Sequence, residues 1–476
     1  MRRTKIIATL GPSTDDPVVM EQLILAGLNV VRLNFSHGSH EEHQKRIELV
    51  RTAAKKCNRI VGILADMQGP KIRVANFKDG KVELKKGASF VLDASLDSNA
   101  GTVDTVGIDY KELPQDVSPG DELLLDDGRI SLLVDKVNGA KIHCTVDVGG
   151  KLSNHKGINR RGGGLSAKAL TDKDREDIKF ANKMNVDYVA ISFPRSAEDI
   201  LEAKELVNHH GGHTGIIAKI ERAEAVQNLE EIVKASDGVM VARGDLAVEI
   251  GDAEVPLVQK DTIKKARRLD KPVIIATQMM ESMITSTVPT RAEVSDVANG
   301  VLENADAVML SAETAVGDHP LLVIEAMSRV CITAEQMPRF QKSHHRMESH
   351  FHKVDEAIAM ATMYTANHFD ISAVISLTES GGTALMMSRI RTGMPIYGLS
   401  RFPKALGRMS LYRGVYPIEF DVTKYARDDI NRQAVELLVQ TGALKEGESV
   451  ILTKGDHLGE GGGTNAMKVL VVGKVV

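Results

Sequence analysis

Three things are scarce in this sequence of 476 residues: cysteine, net charge and long apolar stretches. Only Cys57, Cys144 and Cys331 occur, far apart and with no CxxC spacing. An odd, scattered set excludes a disulfide framework and fits a reducing compartment. The formal net charge is −4, so no overall basic field exists to hold nucleic acid or an anionic membrane, and neither is expected as a partner. Any phosphate must be gripped by local groups. No stretch approaches the roughly 18 apolar residues that cross a bilayer. The opening MRRTKIIATLGP is basic and then apolar, but the apolar run stops at Gly11-Pro12, too soon for a secretory signal. A cytoplasmic location is expected.

What is present is a repeating pattern. Short runs rich in Val and Ile recur: KIIATLG (5–11), NVVRLNF (29–35), VGILAD (61–66), YVAISF (188–193), GIIAKIE (215–221), GVMVARGD (238–245), PVIIATQ (272–278) and AVMLSAE (307–313). Such runs suit parallel strands buried on both faces. Helical patterns lie between them, among them DPVVMEQLILAG, SAEDILEAKELVNHH, ERAEAVQNLEEIVKAS and VPLVQKDTIKKARRLD. Eight strand–helix alternations point to a (β/α)8 TIM barrel over 1–70 and 169–340, with its chemistry at the carboxyl ends of the strands. Residues 71–168 instead alternate with period two between glycine-rich turns, which reads as an inserted small β-barrel lid domain. Its exit, NRRGGGLS, reads either as a floppy linker or as the hinge of that lid. The histidine-rich QKSHHRMESHFHK (341–353) matches no metal-ligand spacing and reads as a solvated linker. Residues 354–476 resume strand and helix patterns (DEAIAMATMYTANHF, AVISL, TALMMSRIR, PIYGLS, ESVILTKGD) as a C-terminal three-layer α/β domain.

The polar residues that close the barrel runs form a charged ring. Lys219 and Glu221 share a strand face because their spacing is two, and ARGD brings Asp245 to the same rim. Glu221 and Asp245 suit a hard divalent cation, with Lys219 placed to meet a phosphoryl group or an enolate. A plain rim salt bridge is the blander reading. Arg32, Asn34 and Ser36 alternate onto one face ahead of His37, and arginine pairs naturally with phosphate. Asp66 closes the third run, and DMQGPKIR continues through Lys71 and Arg73. Thr277 closes the seventh run, and Ser311 and Glu313 the eighth. At least four cations and three acids around one mouth suit a highly charged phosphate substrate.

These blocks resemble the pyruvate kinase family. IIAKIERAEAV looks like that family's active-site signature, and RLNFSHG, GPKIR, VARGDLAVEI, ATQMMESM and MLSAETA match its other blocks in order along essentially the whole chain. The resemblance implies phosphoryl transfer from phosphoenolpyruvate to ADP, giving pyruvate and ATP with Mg2+ or Mn2+. It implies Glu221 and Asp245 as metal ligands and Lys219 on the phosphoryl group. Backbone groups at Ala242, Arg243 and Gly244, beside Asp245, would hold the substrate carboxylate. Thr277 would take part in protonating the enolate, with Ser311 and Glu313 in support. Arg32 and Arg73 would hold phosphates, and Asn34 and His37 would face the nucleotide. Glu42 stands where many relatives carry an aromatic residue, and Ala247 where glycine is common. The family is usually a homotetramer.

Two regulatory readings follow from the same resemblance. Many relatives also need K+, held among residues matching Asn34, Ser36 and Asp66, with glutamate at the position of Lys71. Lysine there, accompanied by Met67, Gln68 and Val74, resembles the K+-independent branch, the ammonium standing in for the ion. The loop TESGG before TALMMSR reads either as a helix cap or as a phosphate cradle. Pyruvate kinases often bind an activating sugar phosphate or nucleotide such as AMP in this loop, through residues matching Thr378, Ser380, Gly381 and Thr383. Rival readings are a metal-dependent lyase or mutase on the same barrel, which would not need Lys219 or a lid, and a silent sensor, which would not keep Lys219, Glu221, Asp245 and Thr277.

Overall fold

The computed structural model describes residues 1–337, 350–456 and 463–474. Each of the eight apolar runs contains a strand: β1 (Lys5–Thr9), β2 (Val30–Asn34), β3 (Gly62–Asp66), β4 (Tyr188–Ile191), β5 (Gly215–Ile220), β6 (Gly238–Ala242), β7 (Val273–Ala276) and β8 (Ala307–Leu310). Every neighbouring pair is parallel, and β1 pairs with both β2 and β8, closing the barrel. Outward side chains such as Ile6, Val31 and Ile216 pack on the surrounding helices. The alternate set, including Ile7, Leu64, Ile217, Met240 and Ile274, belongs to a second core, which runs on into Leu406 and Met409 of the C-terminal region. That period-two division is why these strands read as apolar throughout.

The helices between strands start on side-chain caps. Ser39 Oγ accepts from Glu42 N–H at 3.3 Å, while Glu42 Oε2 accepts from Ser39 N–H at 2.7 Å, opening the helix His40–Lys56. Glu42 is thus half of a capping box. The pattern ERAEAVQNLEEIVKAS suggests one helix but forms two, Ala223–Gln227 and Leu229–Ala235. Asn228 interrupts it by donating its side-chain amide to Arg195 O at 2.9 Å.

Between β3 and β4 the chain builds the expected β insertion. A six-stranded sheet runs in the order Ile158–Arg160, Glu122–Leu125, Ile130–Asn138, Lys141–Val148, Ser89–Asp93 and Thr105–Gly107. Lys81–Leu84 and Gly150–Ser153 form a further antiparallel pair. The insertion has its own core around Phe90, Leu123, Leu132 and Val146. At its exit Gly162, Gly163 and Gly164 have φ of 81°, 79° and 91°. Only glycine adopts three such residues in a row without strain.

The C-terminal region is a five-stranded sheet of β9 (Ala373–Leu377), β10 (Ile396–Ser400), β11 (Val415–Glu419), β12 (Ser449–Gly455) and β13 (Thr464–Val471), in the order β11-β10-β9-β12-β13. Only β13 is antiparallel. Helices Val354–His368 and Gly382–Ser388 pack toward the barrel base, and Ile430–Gln440 covers the other face. β11 is not evident in the sequence because Pro417 interrupts it, which an edge strand tolerates. Residues 341–349 of the expected linker lie outside the described residues.

A buried ionic seam joins the barrel to this sheet. Asp306 and Arg389, both almost fully buried, form a two-point pair: Arg389 Nη1 reaches Oδ2 at 2.9 Å and Nη2 contacts Oδ1. Glu335 accepts from Arg3 N–H at 2.7 Å and Thr4 N–H at 2.6 Å, with Arg413 Nη2 at 3.5 Å. Lys5 donates to Val415 O and sits 4.5 Å from the Tyr416 ring centroid, and burial pushes its ammonium down to about 7. Asp306→Ala would leave Arg389 buried without its counter-charge, at a cost of about 3–5 kcal/mol. Urea unfolding should show a clearly lower midpoint for this variant; an unchanged midpoint would show that the pair carries no such weight.

Candidate active site

Three strand ends converge on one carboxylate. Asp66 closes β3 and is 1% exposed. Its Oδ2 accepts from Arg32 Nε at 2.7 Å and lies 2.6 Å from Nη2, while its Oδ1 lies 3.2 Å from Lys219 Nζ. Arg32 Nη1 also donates to Thr9 Oγ1 at 3.0 Å. Lys219 Nζ donates to Ser192 Oγ at 2.6 Å and stands 2.8 Å from Glu221 Oε1. Ser192 Oγ in turn donates to Met67 O at 2.7 Å, so the lysine's perch is tied to the strand β3 loop. Glu221 Oε2 accepts from Phe193 N–H at 2.9 Å.

The charges in this array are fixed by one another. Burial works against the Asp66 carboxylate, but Lys219 and Arg32 overcome it and hold its pKa below the ordinary value. Burial likewise disfavours the Lys219 ammonium, and Asp66 and Glu221 outweigh it, so its pKa is raised. Glu221 goes the other way: burial first, then repulsion from Asp245, raise its pKa despite the pull of Lys219. Glu221 Oε1 is buried, with the Lys219 ammonium 2.8 Å away as its partner. Two acids close enough to repel one another, Glu221 and Asp245, fit a divalent cation, which takes one or two carboxylates and completes its shell with water and substrate oxygens. Among the described residues no group of three or more His, Cys, Asp or Glu is arranged to hold a metal alone.

Asp245 lies in the first turn of the helix Arg243–Ile250, and Lys71 Nζ stands 3.6 Å from its Oδ1. The contact described for Lys71 is therefore to Asp245, not to Asn34, Ser36 or Asp66. The loop carrying it turns at Gly69 (φ 67°), whose N–H donates to Asp174 Oδ1 at 3.0 Å; a Cβ there would come within 2.8 Å of Ser192 Cβ. Asn34 lies beside Asp66 in register, and its Oδ1 accepts from Ser36 N–H at 3.1 Å. His37 is exposed. Arg73 is fastened to the insertion, donating its N–H to Asp109 at 2.7 Å and Nη1 to His155 O at 3.1 Å.

Thr277 has φ 70°, a strained conformation for a β-branched residue. Its Oγ1 accepts from Gly244 N–H at 2.9 Å and donates to Ala276 O at 2.6 Å. Ala242 ends β6 and leads into the Arg243–Ile250 helix start, a setting that suits a carboxylate. Arg243 is occupied elsewhere: it bonds Asp296 at 2.7 Å and Thr277 O at 2.6 Å, so it positions the β7 end. Glu313 accepts from Ser311 N–H at 2.6 Å and Met280 N–H at 3.3 Å, which joins the loops after β7 and β8. Ser192 and Phe193 carry no role in the sequence reading. The rule that polar residues closing a strand face the mouth would have found Ser192.

With this geometry in hand, comparison with known proteins is decisive. The family model described as "Pyruvate kinase, barrel domain" matches residues 1–324, and "Pyruvate kinase, alpha/beta domain" matches residues 356–470. The chain belongs to the pyruvate kinase family. Curated relatives align from end to end. Pyruvate kinase II of Salmonella typhimurium is 54% identical over 99% of both chains, and the pyruvate kinase of Haemophilus influenzae is 52% identical with the same coverage. That of Geobacillus stearothermophilus is 43% identical over 99% of this chain and 80% of its own. The barrel, β insertion and C-terminal sheet are those of a pyruvate kinase, and no helix among the described residues is long and apolar enough to cross a membrane.

One buried acid outside the charged array ties the insertion's exit to the site. Glu249, 3% exposed, accepts from Ala223 N–H at 3.0 Å, and its backbone carbonyl accepts from Gly162 N–H at 2.9 Å. Burial pushes its carboxyl up to about 7 from 4.5. Between those pH values the folded chain keeps a proton that the unfolded chain releases, so stability falls as pH rises across the window. The deficit is complete above pH 7, on the order of 3 kcal/mol. Glu249→Gln keeps the acceptor and removes the titration. Its melting temperature should exceed that of the native chain at pH 8 and converge with it near pH 4.5; parallel pH curves would refute the assignment.

Proposed function

We propose that this chain transfers the phosphoryl group of phosphoenolpyruvate to ADP, giving pyruvate and ATP. The observation that carries the reading is Lys219, held between Asp66 and Glu221 by Ser192 with Asp245 alongside. Phosphoryl transfer needs positioning and charge neutralisation more than covalent help. Lys219, kept charged by its two acids, meets the negative charge on the moving phosphoryl group. Arg32, locked by Asp66 and Thr9, holds a phosphoryl oxygen, and Arg73 carries a second cation on the lid side. Glu221 and Asp245 would hold Mg2+ or Mn2+, which supplies charge neutralisation at the phosphoryl oxygens. The substrate carboxylate bridges the amides at Arg243 and Gly244 and the Thr277 hydroxyl, displacing their mutual hydrogen bond. Thr277 then stands at the face where enolpyruvate takes up its proton at carbon. Asn34 and His37 face the nucleotide.

The insertion, 71–168, serves as the lid that excludes water, swinging on Gly162–Gly164. The C-terminal unit, 354–476, carries regulation, and four chains assemble as a homotetramer. Lys219→Met should lower kcat by about 10²–10³ with ATP formation followed in a coupled assay, and a native chain that forms no ATP from phosphoenolpyruvate and ADP would overturn the reading.

Lys71 replaces the monovalent cation of other family members. Its ammonium, anchored 3.6 Å from Asp245, supplies positive field beside the phosphate, and a K+ ion next to it would meet like-charge repulsion. Activity is expected to persist in K+-free buffer with a bulky inert counter-cation. Lys71→Glu should lose most activity there and regain it with K+. A native enzyme silent without K+ would sink this part of the proposal.

Effector control uses the loop before the helix Gly382–Ser388. Thr378, Ser380 and Thr383 line a cavity of ≈ 170 Å³ together with Arg401 and Lys454. Gly381 (φ 83°) makes the turn, and its N–H donates to Thr378 Oγ1 at 3.0 Å. Hydroxyls, turned amides and two cations suit the phosphate of a sugar phosphate or of AMP. Titration with these compounds should reduce the cooperativity of phosphoenolpyruvate saturation in the native chain and leave Ser380→Ala unmoved. No shift with any of them would count against an effector site here.

A further inference from the structure

Both central charges of the site, Lys219 and Glu221, are held by a single dipeptide. Ser192 and Phe193 follow directly on β4 and are 1% and 7% exposed. Ser192 Oγ accepts from Lys219 Nζ at 2.6 Å, and Phe193 N–H donates to Glu221 Oε2 at 2.9 Å. The side chain of one residue and the backbone of the next therefore set the spacing of cation and acid.

The polarity of the Ser192 contact is forced. An ammonium can only donate, and a backbone carbonyl can only accept. The single hydroxyl proton therefore goes to Met67 O, 2.7 Å away, which leaves a lone pair facing Lys219. Met67 is itself buried, and its N–H donates to Ala190 O at 3.0 Å. The perch is fixed and neutral, so it holds the ammonium without cancelling its charge.

Phe193 contributes through its backbone. Its φ of 56° is costly for an aromatic residue. The Arg222 guanidinium lies 5.6 Å from the centroid of its ring. Gly69 packs against the same turn, where a Cβ would come within 3.1 Å of Phe193 Cδ2 and 2.8 Å of Ser192 Cβ. Strain of this kind persists only where the surroundings over-determine it. Here they hold Ser192 Oγ on Lys219 and the Phe193 N–H on Glu221.

The three protons of the Lys219 ammonium are matched by three oxygens. Ser192 Oγ stands at 2.6 Å, Glu221 Oε1 at 2.8 Å and Asp66 Oδ1 at 3.2 Å. Glu221 is also the carboxylate that suits a divalent cation. When Glu221 turns to such a cation, the ammonium keeps Asp66 and Ser192. Without the hydroxyl it would keep Asp66 alone, and a buried ammonium short of partners is costly.

We infer that Ser192 is a positioning residue whose hydroxyl steadies the Lys219 ammonium, so that Glu221 is free to be shared with a divalent cation. The inference rests on the phosphotransfer reading, which gives Glu221 to the metal and Lys219 to the phosphoryl group.

The test is a double-mutant cycle on Ser192 and Lys219, read first by Mn2+ binding to the full chain without substrates. Electron paramagnetic resonance counts the free ion, and the relevant site is the one lost in Glu221→Gln. Ser192→Ala should weaken this site by about tenfold, on the scale of one hydrogen bond to a charged group. Ser192→Cys, near in size with a feebler acceptor, should fall between. In the Lys219→Met background Ser192→Ala should change nothing, because the ammonium it steadies is gone. A general loosening of the fold would instead weaken binding equally in both backgrounds. At saturating Mg2+, Ser192→Ala should lower kcat by about tenfold and leave the KM for phosphoenolpyruvate within about twofold. Native-like Mn2+ affinity in Ser192→Ala, equal losses in both backgrounds, or a native chain with no Glu221-dependent site overturns the inference. A native chain that binds Mn2+ there yet forms no ATP overturns the reaction alone, and the binding cycle still decides the role of Ser192.

Discussion

Asp66 balances two buried cations at once, and the catalytic mouth is organised around that balance. Arg32 comes from β2, Asp66 from β3 and Lys219 from β5, so the carboxylate fixes three strand ends to one another. Each member alone would be expensive in a dry site, yet together they are satisfied. The ring keeps Lys219 charged and sets it directly beside the Glu221 carboxylate. Phosphoryl chemistry needs both kinds of group within a few ångströms. The same rim also carries backbone strain, where Phe193, Thr277 and Gln278 hold φ of 56°, 70° and 55°.

Much of this was legible in the sequence because a parallel barrel imposes a simple grammar. A strand buried on both faces reads as an apolar run, and the first polar residue after it must face the mouth. That rule located Asp66, Lys219, Glu221, Asp245 and Thr277 without coordinates. Pairings between strands were less accessible. Nothing in ARGD tells that Arg243 turns back to Asp296 and Thr277 O, or that Lys71 reaches Asp245 from the root of the insertion. Such contacts join residues tens to hundreds of positions apart and depend on the exact stagger of the strands. Local chemistry misled elsewhere, as where Asn228 splits an apparently continuous helix and Pro417 hides an edge strand.

The hydrophobic cores differ in how they are shared. The β insertion keeps a core to itself and meets the barrel through the stretch near Lys71 and the glycines at its exit. The barrel interior, in contrast, is continuous with the C-terminal helices, and Tyr188 of β4 donates its hydroxyl to Arg408 O at 3.0 Å across the junction. The C-terminal helices thus share a core with the barrel, whereas the insertion does not.

The continuity between barrel interior and C-terminal helices has a consequence for how the chain is made. Ile7, Leu64 and Ile217 near the barrel axis share a core with Leu406 and Met409, yet the ribosome delivers the latter only after all eight strands have emerged. At usual synthesis rates the last stretch of more than a hundred residues takes on the order of ten seconds. Through that interval the nascent barrel has an unplugged apolar base, with Arg3 and Lys5 still waiting for Thr392 and Val415. For this fold the newborn chain's most exposed moment comes late, after the catalytic half is already complete.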